Sequence, residues 1–133
     1  MANPGARAGG VWDDRHVCAR VLIVDDHDAF RESAAALLGA EGFDVVGAAA
    51  DGLSAIAEVE RLHPDLVLLD IRLPDLDGFA VAERVAALAR APVVVLVSSR
   101  DASTYSASLE TTSARGFIAK RELSGAALAT LLR

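Results

Sequence analysis

Residues 63–78, HPDLVLLDIRLPDLDG, place a carboxylate directly after an unbroken apolar run. The four residues from Leu66 to Leu69 are all apolar, which is typical of a strand buried on both faces of a parallel sheet. Asp70 follows at once, and Pro74, a residue that ends helices, comes four positions later. The stretch therefore predicts a buried strand that presents an acidic side chain at its carboxyl end.

Together with this run, four others give the chain five predicted strands. The three strong candidates are RVLIVDD (20–26), PDLVLLD (64–70) and PVVVLVSS (92–99). The two weaker candidates are FDVVGAA (43–49) and ARGFIAK (114–120). Apolar residues at helical spacing lie between and after them, in stripes that begin at Phe30, Leu53, Phe79 and Leu123.

A helix between residues 101 and 114 is only weakly indicated, because Ser and Thr, which disfavour helix interiors, dominate there. The alternation of strands and helices nevertheless continues through the chain. It predicts the α/β class: one (βα)5 doubly wound domain, with a five-stranded parallel sheet, helices on both faces and right-handed crossovers.

Composition sets the outer limits on function. The chain has 133 residues, of which 53% are hydrophobic, enough for the core of one domain. A formal net charge of −6 argues against direct nucleic-acid binding. The acidic balance also suits a protein that handles a divalent cation, although many ordinary domains are equally acidic.

The N-terminal residues lack the features of a targeting segment. Residues 1–18 are rich in Gly, Ala and Pro, and we expect a poorly ordered tail before a domain at 19–133. Trp12 lies in this tail. The single cysteine, Cys18, is compatible with a reducing cytoplasm, and no apolar stretch reaches the roughly 20 residues that a membrane span needs. We expect a cytoplasmic protein without membrane contact.

Polar residues follow four of the five predicted strands. Asp25 and Asp26 end the first, Asp70 the third, Ser98 the fourth and Lys120 the fifth. Ligands bind at the carboxyl ends of strands in open parallel sheets, so we expect these side chains to converge. Taken singly, each has an ordinary explanation, such as a helix cap, a turn residue or a solvated charge. The convergence of all of them favours a site.

The chemistry of this set favours Mg²⁺ and phosphoryl transfer. Clustered carboxylates repel one another and need a cation, and an oxygen-only set suits Mg²⁺. His27 stands beside the acidic pair, and a surface role at a helix start is favoured over ligation. A carboxylate held beside Mg²⁺ can attack phosphorus, with Lys120 and Ser98 stabilising the transferred group.

The stretches VLIVDDHDAFRESAAALL, PDLVLLDIRLPDLDG, VVVLVSS and ARGFIAKREL together resemble the receiver domain of two-component response regulators. The resemblance runs from about residue 20 to 132. It is strongest to receivers that usually precede a helix-turn-helix output domain, and we find no such output domain in these 133 residues. It implies the flavodoxin-like strand order 2-1-3-4-5.

The resemblance also implies a role for each residue. Asp70 would be the phosphoacceptor. Mg²⁺ would be bound directly by Asp26 and largely through water by Asp25, with Asp70 and the backbone carbonyl of Arg72 as further ligands. Ser98 would be the switch hydroxyl, Lys120 the phosphoryl-binding lysine and Phe117 the switch aromatic. A sensor histidine kinase would donate the phosphoryl group. The face of the fourth helix, fifth strand and fifth helix would then engage a protein partner, an output domain or a second copy of the chain.

Two alternatives remain open at this stage. One is a receiver-like module that binds a partner or dimerises without phosphorylation. The other is a Mg²⁺-dependent phosphatase with an aspartyl nucleophile. Such phosphatases usually carry a second acid two residues after the nucleophile, where this chain has Arg72. We therefore expect self-catalysed phosphoryl transfer and dephosphorylation rather than an enzyme.

Overall fold

The computed structural model of the protein describes residues 18–133. The predicted tail, including Trp12, lies outside the described residues except for Cys18, which is exposed. Buried structure begins at Ala19. No helix within residues 18–133 is long and apolar enough to cross a membrane.

Five parallel strands form one sheet in the order β2-β1-β3-β4-β5, as predicted. All five lie within the predicted apolar runs: β1 (Arg20–Val24), β2 (Asp44–Ala49), β3 (Leu66–Asp70), β4 (Val93–Ser98) and β5 (Gly116–Ala119). Every residue of β3 is buried, which agrees with its continuous apolar sequence.

Helices follow each strand, also as predicted. They are α1 (Asp28–Ala40), α2 (Gly52–Leu62), α3 (Gly78–Ala86), α4 (Ser106–Thr111) and α5 (Gly125–Leu132). The stripe in α3 continues to Ala89 in the sequence, but the helix ends three residues earlier. The weakly indicated fourth helix is a 3₁₀ turn, Ala102–Tyr105, followed by a short α4. Its Ser- and Thr-rich sequence explains why it is brief.

The hydrophobic core lies in two layers, one on each face of the sheet. Alternate strand residues such as Ile23 and Leu68 pack against α1 and α5. Their neighbours, such as Leu22 and Leu69, pack against α2, α3 and part of α4. Because successive side chains of a strand point to opposite faces, unbroken apolar runs are what a doubly covered sheet requires.

Candidate functional site

The register of the sheet brings the predicted site residues to one edge. Val24 pairs with Leu69, so Asp25 and Asp70 occupy equivalent next positions on neighbouring strands. Asp70 pairs with Val97, directly before Ser98, and Ser98 pairs with Ala119, directly before Lys120. The carboxyl ends of β1, β3, β4 and β5 therefore deliver the acidic, hydroxyl and ammonium groups together.

An ammonium group lies between two buried carboxylates at the centre of this edge. Lys120 Nζ is 2.5 Å from Asp25 Oδ2 and 3.5 Å from Asp70 Oδ2. The Lys120 side chain is 15% exposed, whereas Asp25 and Asp70 are almost completely buried. Low solvent access strengthens this attraction, and removal of the cation would leave two buried negative charges facing each other.

Asp25 retains one buried oxygen without a hydrogen bond. Asp25 Oδ1 accepts a hydrogen bond from the His27 amide at 2.8 Å. Within the described residues, Asp25 Oδ2 accepts no hydrogen bond, and its polar contact is the ion pair with Lys120 Nζ. A buried carboxylate oxygen that already pairs with a cation is also a suitable oxygen ligand for a metal ion.

The environment of Asp70 disfavours its charged form. Burial raises the pKa of Asp70 from its ordinary 3.8 to about 6, and the negative charge of Asp25 contributes in the same direction. Lys120 and the Arg72 amide, which donates to Asp70 Oδ1 at 3.3 Å, act in the opposite direction. The carboxylate is therefore under-neutralised by the protein alone, and an added cation would favour its ionised form.

Asp26 and His27 complete the acidic side of the site. Asp26 is exposed, unlike Asp25. His27 Nδ1 lies 3.0 Å from Asp25 Oδ1 and 3.2 Å from Asp26 Oδ1, and its side chain is 68% exposed. Ligand atoms of Asp25, Asp26, His27 and Asp70 all lie within 4.8 Å of one another. His27 occupies the N-cap position of α1, which agrees with its predicted place at a helix start. Its side chain makes no capping hydrogen bond.

The donor set fits Mg²⁺. Two buried carboxylates and one exposed carboxylate offer hard oxygen ligands, one of which is the oxygen of Asp25 that accepts no hydrogen bond. One imidazole and no thiolate in the cluster do not make a structural zinc site. Arg72 lies in the loop after β3, where it forms an isolated bridge with Asp77.

Ser98 and Phe117 are joined through a residue to which the sequence assigned no role in the site. The hydroxyl of Ser98 is 3.1 Å from the hydroxyl of Tyr105 and accepts the Arg100 amide at 3.0 Å. The ring of Tyr105 in turn packs against Phe117, with centroids 6.2 Å apart. A hydroxylated aromatic inside a stretch of weak helix propensity was the signal available for Tyr105.

Phe30 and Gly78 also contribute to the site, although the sequence indicated no role in it for either residue. Lys120 Nζ lies 4.6 Å from the centroid of the Phe30 ring, a cation–π contact that helps to hold the ammonium. Gly78 donates its amide to the Ile71 carbonyl at 2.6 Å. A Cβ at position 78 would lie 2.5 Å from the carbonyl oxygen of Asp70, so only glycine fits this close backbone approach.

Comparisons with known proteins agree on one family. The family model described as response regulator receiver domain matches residues 21–132. Protein-glutamate methylesterase/protein-glutamine glutaminase 6 of Anaeromyxobacter dehalogenans is 44% identical over 117 residues, covering 86% of this chain and 33% of the relative. The chain spans between 23% and 50% of the length of the first curated relatives it matches.

Solved structures show the same similarity. The signal receiver domain of NarL from Mycobacterium tuberculosis superposes with a TM-score of 0.72 at 34% identity, covering 85% of this chain and 95% of that one. A chain of the CheX–CheY–BeF₃–Mg²⁺ complex from Borrelia burgdorferi superposes with a TM-score of 0.73 at 26% identity, covering 90% of each chain.

Proposed function

The chain belongs to the family of response regulator receiver domains, and on that premise we propose that it accepts a phosphoryl group on Asp70 in a reaction that requires Mg²⁺. The observation that carries the proposal is the position of Lys120 Nζ, 2.5 Å from one buried carboxylate and 3.5 Å from the next. Such an arrangement prepares positive charge where a phosphoryl oxygen would arrive beside Asp70.

Each residue has one part in the proposed reaction. A carboxylate oxygen of Asp70 attacks the phosphorus, a P–O bond forms, and the bond to the leaving group of the donor breaks with its electron pair on that group. Lys120 neutralises a phosphoryl oxygen, and Ser98 donates a hydrogen bond to another. Bound Mg²⁺ supplies the positive charge that offsets the clustered negative groups.

The ligands proposed for Mg²⁺ are the carboxylates of Asp25, Asp26 and Asp70 and the backbone carbonyl of Arg72. Support comes from the oxygen of Asp25 that accepts no hydrogen bond and from the raised pKa of Asp70. The raised pKa of Asp70 supports a site whose negative charge the protein neutralises only in part. The relative that is complexed with BeF₃ and Mg²⁺ supports the same chemistry by analogy.

The proposed partners follow from the family. A sensor histidine kinase donates the phosphoryl group in the cytoplasm, so the leaving group is the imidazole of its phosphohistidine. The receiver unit at 19–133 then presents a changed α4-β5-α5 face to a protein partner, to an output domain or to a second copy of the chain. Phe117, half-buried on β5, takes part in this change. The chain catalyses its own phosphorylation and dephosphorylation and is not an enzyme acting on other substrates.

Intact-protein mass spectrometry after incubation with acetyl phosphate tests the proposal. We expect a single phosphoryl adduct that requires Mg²⁺ and is absent from Asp70→Asn. Asp44→Asn, which alters an exposed carboxylate on β2, is the matched control and should still form the adduct. Steady phosphate release without an adduct would indicate rapid turnover of the phosphoryl group or a phosphatase. Neither adduct nor release would favour a phosphorylation-independent interaction module.

A further inference from the structure

Tyr105 makes a specific polar contact with the hydroxyl group proposed to bind the phosphoryl group. Its own hydroxyl lies 3.1 Å from Ser98 Oγ, and the Arg100 amide donates to the same oxygen at 3.0 Å. Ser98 is 1% exposed, so water does not compete freely for this hydroxyl. Among the described residues, the hydrogen bonds of Ser98 Oγ go to Tyr105 and Arg100 rather than to Asp70 or Lys120.

The ring of Tyr105 is fixed by two other aromatic rings. Its centroid is 5.9 Å from that of Phe79 on α3 and 6.2 Å from that of Phe117 on β5, and both pairs are tilted. Tilted pairs at these distances are attractive, and the half-buried ring therefore has a preferred position. The hydroxyl at its tip is held toward Ser98 by packing as well as by hydrogen bonding.

We propose that Tyr105 is a positioning residue that holds the Ser98 hydroxyl away from Asp70 in the unphosphorylated protein. This inference rests on the proposed phosphorylation of Asp70. To donate a hydrogen bond to a phosphoryl oxygen, Ser98 turns toward the site and loses its contact with Tyr105. The hydroxyl of Tyr105, a half-buried residue, then loses this partner, which opposes the turn.

The contact also links the site to α4. Tyr105 is the last residue of the 3₁₀ turn Ala102–Tyr105 and directly precedes α4. Loss of the Ser98 contact therefore releases the start of a six-residue helix whose Ser and Thr residues disfavour helix interiors. The hydrogen bond between Tyr105 and Ser98 therefore opposes phosphorylation, and its loss on phosphorylation changes the start of α4.

A double-mutant cycle tests the proposal with beryllofluoride as the probe, in the presence of Mg²⁺ and with bound fluorine followed by ¹⁹F NMR. Tyr105→Phe removes the hydroxyl and keeps the ring between its aromatic neighbours. We expect it to tighten beryllofluoride binding by about 2- to 10-fold, the effect of one net hydrogen bond. In a Ser98→Ala background, the same substitution should change binding less than about twofold, since the partner is already gone.

The other outcomes contradict the inference in distinguishable ways. An unchanged affinity in both backgrounds would show that the hydroxyl exerts no hold on Ser98. An equal gain in both would show that the effect does not pass through Ser98, and weaker binding by Tyr105→Phe would show that Tyr105 assists the site. If the parent protein neither binds beryllofluoride nor forms an acetyl phosphate adduct, the proposed function fails and this inference fails with it. Far-UV circular dichroism confirms that each variant is folded.

Discussion

Replacement of Asp70 by asparagine should stabilise the protein when no divalent cation is present. Asparagine resembles the neutral form of the carboxyl in shape, and it removes a buried negative charge that Lys120 offsets only in part. The pKa of this carboxyl is about 6 in the folded protein and 3.8 ordinarily. A difference of about two pH units corresponds to about 3 kcal/mol. We therefore expect a stabilisation of about 1–3 kcal/mol.

Because the pKa of Asp70 is raised in the folded protein, the stabilisation by Asp70→Asn depends on pH. Below pH 3.8, the carboxyl is protonated in both the folded and the unfolded chain, so its ionisation does not favour either state. Between 3.8 and about 6, the unfolded chain releases the proton while the folded protein retains it, so the folded state loses stability as pH rises. Above about 6 the loss is complete. The advantage of Asp70→Asn should grow through this window and then level off.

Urea unfolding followed by far-UV circular dichroism, in EDTA from pH 4 to 8, measures this advantage. The difference in unfolding free energy between variant and parent isolates the carboxyl, because the other titrating groups are common to both. Asp44→Asn, at an exposed position on β2, should show a flat difference near zero. An advantage of Asp70→Asn that is as large at pH 4 as at pH 8, or absent throughout, would refute the electrostatic account of this site.

Three further predictions concern the groups around Asp70. Lys120→Met should lower the unfolding free energy by about 2–4 kcal/mol in EDTA at pH 7.5, because it leaves Asp25 and Asp70 without their cation; a urea midpoint equal to that of the parent would contradict this. Gly78→Ala should lower the unfolding free energy by at least about 2 kcal/mol and slow adduct formation. The control Gly39→Ala, where a Cβ meets nothing within 4 Å, should leave the unfolding free energy unchanged or raise it. Addition of Mg²⁺ should stabilise the parent by about 1.4 kcal/mol at ten times its dissociation constant, and Asp70→Asn by less; an equal rise in thermal midpoint for both would argue against ligation by Asp70.

The sequence by itself determined the strands, their parallel arrangement and the edge at which the site forms. Continuous apolar runs such as the one ending at Asp70 are local signals, because a strand covered on both faces needs apolar residues at every position. The parallel alternation then requires all carboxyl ends to meet at one edge, so residues far apart in the chain were brought together without any knowledge of their contacts.

Only the tertiary structure decided how the members of the site differ. Asp25 and Asp26 are adjacent residues of the same type. Asp25 is buried and has an oxygen that accepts no hydrogen bond, whereas Asp26 is exposed. The bond between Tyr105 and Ser98 and the close backbone approach at Gly78 are likewise absent from any local pattern. Burial, side-chain direction and close contact depend on which elements pack against each residue, and that packing is settled only when the whole sheet and its helices are assembled.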